Sequence, residues 1–82
     1  MKIREWLFYK DHKGEYRAEG YEDVIDLVTR MREAHCYECW NYTVRTNRWY
    51  SNSANRYTLN PIEKVVPDWA KTLLLIHKMQ GE

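Results

Sequence analysis

No run of apolar residues in this chain approaches the roughly 18 that a membrane-spanning helix requires. The opening stretch, Met1 to Lys10, is interrupted by charge and lacks a small-residue cleavage site, so no secretory leader is read and a cytoplasmic protein is expected. Cysteine is scarce, with two residues in 82, which excludes a disulfide framework and leaves thiols or metal ligands in a reducing compartment. Phosphate-binding loops, GxSxG and HExxH are missing, and the three histidines stand far apart, so the sequence carries no local signature of catalysis. No enzymatic activity and no cofactor are expected. The net charge of +1 is far from the footprint of a duplex-DNA binder, for which a domain pI above about 9 is usual. Aliphatic residues are few as well. Fifteen Ile, Leu and Val make a thin core for one domain spanning residues 1–82, so four Trp, seven Tyr and one Phe must supply much of the buried area.

What is present is a polarised chain. Residues 15–38 carry seven acids against three bases, whereas residues 39–60 carry three arginines and no acid. Within the latter, Trp40 to Tyr57 packs five aromatics, three arginines and four asparagines into eighteen positions. Aromatic rings that keep one polar edge in water are favoured anchors of binding surfaces.

The periodicities give the elements. Lys2 to Lys10 reads as a strand with Ile3, Leu7 and Tyr9 on one side and Trp6 and Phe8 on the other, so it is apolar on both faces. Asp11 to Gly14 is a turn, and Glu15 to Gly20 alternates as a half-solvated antiparallel strand. Glu22 and Asp23 open a helix to about residue 35, with Val24, Leu27, Val28 and Met31 as its apolar stripe. From Cys39 the period returns to two through Arg45. Residues 46–48 read as a turn or bulge, Trp49 and Tyr50 as extended, residues 51–55 as a loop, and Arg56 to Leu59 as the returning strand ended by Asn60 and Pro61. Pro67 and Asp68 start a second helix, Trp69 to Met79, whose Leu73 to Ile76 run suggests deeper burial than the first. The expected fold is a small single α+β domain, ββαββα, with an antiparallel sheet and two helices packed on one face. The order repeats after about 41 residues, an architectural hint of duplication.

Four kinds of chemistry compete for these residues. His35, Cys36 and Cys39 offer metal ligands, yet no second ligand pair follows at a suitable interval, and His12 and His77 could join them only through the fold. Two small buried side chains at a helix-to-strand transition account for the cysteines equally well, so no metal is assigned. His12, in a turn beside Asp11 and Lys13, has the type of a general base and equally that of a solvated turn residue. The hairpin could stack bases on Trp49 or Tyr50 while Arg45, Arg48 and Arg56 meet phosphates, as in single-stranded RNA or DNA binding. Trp, Tyr and Arg are also the residues that dominate protein interfaces, and this is the favoured reading. Trp49, Tyr50 and Arg48 are then the anchors, Arg45 and Arg56 the rim, and Trp6 a companion on the sheet face, facing a protein partner or a second copy in a homodimer. The row Glu19, Glu22, Asp23, Asp26 and Glu33 is read as the wet face of a helix or as a surface for a basic partner. In size and composition the chain resembles the small accessory proteins with which phages and mobile elements block host enzymes, including anti-restriction and anti-CRISPR proteins. That resemblance implies an inhibitor acting by occlusion of a host enzyme and specifies no residue.

Overall fold

The computed structural model describes residues 2–35, 38–52, 59–62 and 65–79. The elements run β1 (Glu5–Lys10), β2 (Tyr16–Tyr21), α1 (Val24–Glu33), β3 (Cys39–Thr43), β4 (Arg48–Asn52), β5 (Leu59–Pro61) and α2 (Asp68–Met79). The strands form one antiparallel sheet in the order β2-β1-β3-β4-β5. The α+β class and the element order follow the sequence reading, with one strand more. Residues 51 and 52, expected in a loop, prolong β4, and a short β5 pairs with it through Tyr50↔Pro61 and Asn52↔Leu59. The second half is thus a three-stranded meander, which breaks the expected repeat. The part of the returning strand placed at residues 56–58 lies outside the described residues.

Local chemistry explains the reversals. In the first turn the Asp11 carboxylate accepts from the Lys13 and Glu15 N–H groups, both at 2.9 Å, while Gly14 takes a φ of 83° that residues with a Cβ avoid. Asp23 caps α1 by accepting from the Asp26 N–H at 3.0 Å. The helix ends as His35 turns left-handed, φ 52°, with its N–H on the Arg32 carbonyl at 3.2 Å. Between β3 and β4, Asn47 takes a φ of 55° and its side-chain oxygen accepts from the Tyr42 hydroxyl.

The two helices lie on opposite faces of the sheet, correcting the expectation of a single covered face. The pairing registers put Trp6, Tyr42 and Trp49 side by side, with Phe8 beside Trp40, and α2 covers them with Ala70 and Leu74. On the reverse side Leu7, Tyr9 and Cys39 meet Leu27 and Met31 of α1. The cause is β1 itself: Trp6, Leu7, Phe8 and Tyr9 are all buried, and alternating side chains can be buried only if both faces are covered. α2 is also no deeper than α1. Ala70 and Leu74 go under, whereas Leu75, Ile76 and Met79 face outward. No helix among the described residues is long and apolar enough to cross a membrane.

One polar group enters the sheet. Asn41 is buried between β1 and β4, donating to the Trp6 carbonyl at 3.0 Å and to Glu5 Oε1 at 3.1 Å, where the Thr43 hydroxyl also donates at 2.8 Å. A one-residue slip of β1 against β3 would strand these groups, so the clasp fixes the register.

Two stability predictions follow from this packing. Trp49→Ala opens a cavity under α2 and costs about 3–5 kcal/mol in urea denaturation. His35→Gly relieves the left-handed backbone and raises stability by about 1 kcal/mol, whereas Asn47→Gly gains less because it also removes the acceptor of Tyr42.

Candidate functional site

The hairpin residues expected to form a binding surface are divided between the two faces of the sheet. Trp6 is 5% exposed and Trp49 9%, both inside the α2 core: the Trp6 ring lies 4.8 Å from that of His77, and Trp49 lies 5.4 Å from Phe8 and 5.2 Å from Tyr42. They are structural rings and are not available as exposed anchors. Alternation along β4 places Tyr50 and Arg48 on the other face, where Tyr50 is half-buried beside Asn41 and Arg48 is exposed. Arg45 is exposed in the β3–β4 turn, and Arg56 lies outside the described residues. Of the six residues, then, Arg48 and Tyr50 share one strand face, with Arg45 in the adjoining turn.

A different set of aromatics is left accessible at the opposite end of the sheet. There the β1–β2 turn, the end of α1, the start of β3 and the start of α2 surround a concavity of about 1100 Å³. Its wall is three rings from three elements. Tyr16 of β2 stacks on Trp69 of α2 with centroids 4.5 Å apart and planes 27° from parallel, and Trp40 of β3 meets Trp69 edge-on at 5.7 Å. Lys10 Nζ stands 5.5 Å from the centre of the Tyr16 ring, within cation–π range. Tyr16 is 52% exposed, and Trp40 and Trp69 are half-buried. The rest of the lining carries both signs: Lys10, Lys13, Arg17 and Arg30 against Asp11, Glu15, Glu33 and Glu38, with His12 and His35 among them. Asp11 is held below the usual carboxylate range, first by the Glu15 N–H that its side chain accepts.

Two of the lining residues, Tyr9 and Arg30, belong to a network on the α1 face that joins β1, β2 and α1. Glu19 accepts from the Tyr21 hydroxyl at 2.6 Å, the Tyr9 hydroxyl at 2.8 Å and Arg30 Nε at 3.1 Å, and Arg30 Nη2 also donates to the Tyr9 oxygen at 3.2 Å. Burial opposes ionisation of Glu19, but the bonds donated by Tyr21, Tyr9 and Arg30 outweigh it and hold the carboxyl below its usual range. Both phenols are raised, by burial and by the carboxylate they donate to, and Arg30 is raised by its bond to Glu19.

For metals the donors are thin. Among the described residues no three His, Cys, Asp or Glu side chains converge on a point that could hold an ion. Cys39 is buried against α1, as a small apolar side chain would be, and Cys36 lies outside the described residues.

The rings of the wall are far apart in the chain, and for that reason local pattern reading missed them. The alternation of residues 15–20 puts Tyr16 on the Ala18 side of its strand, but no spacing rule joins residues 16, 40 and 69. The available signal was that Trp69 stands in the first turn of α2, where a bulky ring projects from the helix end.

The Glu19 network makes stability depend on pH at both extremes. A carboxyl depressed in the folded state stabilises it above the unfolded value of about 4.3 and loses that contribution as pH falls through and below it. Raised phenols contribute fully below about pH 10 and lose their share as the pH rises beyond it. Because Arg30 is partly solvated, Glu19→Gln is expected to cost about 2 kcal/mol at pH 7 rather than more, and to flatten the acid limb of a stability profile measured between about pH 3 and 7.

Compared with known proteins, the chain matches no family model, no curated protein and no solved structure.

Proposed function

We propose that the protein is a non-enzymatic binding module that acts in the cytoplasm by covering a segment of a partner protein, with Tyr16, Trp40 and Trp69 as the anchoring wall. The observation that carries this reading is the cluster of Tyr16 stacked on Trp69 with Trp40 edge-on to it, left accessible inside a rim of four cations and four acids. Tyr and Trp give large, stiff contact area, and a rim of both signs can match the mixed side chains of a polypeptide. A phosphate backbone would gain from the cations and lose to the acids at the same rim. The mechanism is occlusion, in keeping with the small accessory inhibitors that the composition resembles, with a host enzyme as the partner class. Arg45, Arg48 and Tyr50 sit at the other end of the sheet and contribute to binding only if the partner reaches around β4.

Single-stranded nucleic acid is the second reading, and one observation favours it. Lys10 beside the Tyr16–Trp69 stack supplies a cation next to a ring on which a base can lie.

Parallel capture from lysate with wild-type and Tyr16→Ala baits tests the first reading, since truncating a half-exposed rim ring leaves the core intact. A bound partner should lose affinity by about thirtyfold or more, the size of a hot-spot loss. Equal retention by both baits would remove the wall from the interface. Fluorescence anisotropy with mixed single-stranded DNA and RNA at about 50 and 200 mM salt separates the second reading, because electrostatic binding weakens steeply between them. Binding that falls with salt and disappears in Tyr16→Ala would replace the protein partner with a nucleic acid.

A further inference from the structure

The two edges of the sheet are built differently. β5 is three residues long and contains Pro61, which has no N–H to offer, so this edge is poorly suited to pairing. β2 closes the other side with six residues, no proline and an unbroken register against β1. The phase of that pairing is set by the Asp11 N–H on the Glu15 carbonyl at 2.9 Å. Counting from it in steps of two, Arg17, Glu19 and Tyr21 exchange their backbone bonds with β1, and the N–H and C=O groups of Tyr16, Ala18 and Gly20 point away from the sheet. Among the described residues no strand lies along them.

We propose that this edge is self-complementary and that two copies of the chain join through it, β2 antiparallel to β2 about a two-fold axis at Ala18, into one continuous sheet. In this register Ala18 pairs with Ala18 of the second copy, Tyr16 with Gly20, and Gly20 with Tyr16, giving about six new backbone hydrogen bonds. Between them Arg17 faces Glu19 of the second copy, twice by symmetry. The neighbouring two-fold registers that use the same outward groups fail on charge. Moving the axis to residue 17 sets Arg17 against Arg17 and Glu19 against Glu15, and moving it to residue 19 sets Glu19 against Glu19. One arrangement therefore satisfies both the backbone and the charges. Nor does a side chain at Gly20 stand in the way: the space a Cβ would take is filled by Ile3, within 2.6–3.0 Å of that position, so the Tyr16 ring of the second copy would pack against an apolar surface. α2 meets β2 at its turn end, through the Tyr16–Trp69 stack. The inference rests on the β2 backbone and not on the concavity's occupant, although Tyr16 and Arg17 belong to both surfaces.

Sedimentation equilibrium between about 10 and 500 μM tests it, because specific edge pairing must saturate at two copies of the 10.1 kDa chain. The wild type is expected to dimerise. Ala18→Pro removes an outward N–H that β1 does not use and should yield a folded monomer by circular dichroism. Arg17→Glu should weaken the dimer by about tenfold or more, with partial recovery at high salt. If Ala18→Pro unfolds, Arg17→Glu decides alone. A wild type that stays monomeric throughout the range, or a folded Arg17→Glu dimer as tight as the wild type, overturns the proposal, the latter pointing to the outward Leu75, Ile76 and Met79 of α2 instead.

Discussion

The structure depends on the burial of both faces of β1. Six consecutive residues place Trp6 and Phe8 on one side and Leu7 and Tyr9 on the other, and none of the four retains more than 5% of its surface. An antiparallel strand with one wet face can sit anywhere in a sheet; one with none must be flanked by strands and enclosed by a layer above and below. β2 and β3 are the flanks, and α1 and α2 the layers. The long connection from β2 through α1 to β3 follows from the same demand, since β3 must return beside β1 after the chain has crossed one of its faces. Burying four large side chains of a single strand is also how a domain with fifteen aliphatic branched residues obtains a core at all.

That demand is visible in the sequence, but the placement of the two helices that answers it is not. Trp6 and Phe8 opposite Leu7 and Tyr9 were legible by alternation alone, as were the Asp11 turn, the Asp23 cap and the Pro67–Asp68 helix start, because each is a local backbone requirement met by a local side chain. Which face each helix takes is not local. It follows from pairing partners tens of residues apart, and with both helices on one side one of the two apolar pairs of β1 would stand without cover. Trp49 shows the same limit: its composition marks it as an interface anchor, yet its register opposite Tyr42 puts it beneath α2. An aromatic ring has the same transfer free energy in a core and in an interface, so residue type alone cannot separate the two. The wall of the concavity was illegible for a related reason, since Tyr16, Trp40 and Trp69 converge only once β2, β3 and α2 are in place.

The two ends of the sheet differ in how their charges are used. At the β1–β2 turn, acids and bases surround one exposed and two half-buried rings, and Arg30 and Glu19 are drawn into a network that ties α1 to β1 and β2. At the β3–β4 turn, Arg45 and Arg48 stand in solvent, while Lys78 reaches back from α2 to the Tyr42 hydroxyl at 3.3 Å. The network lies on the α1 face and the rings on the α2 face, so the two ends differ in packing as well as in charge.

The order of the two layers along the chain has a further consequence. α1 follows directly after the first hairpin, so Leu7 and Tyr9 are covered early as the polypeptide emerges from the ribosome. Trp6, Phe8, Tyr42 and Trp49 wait for α2, which is synthesised after all five strands. For that interval a nascent sheet presents a bare aromatic face, the kind of surface that chaperones grip and that unfinished chains share with one another.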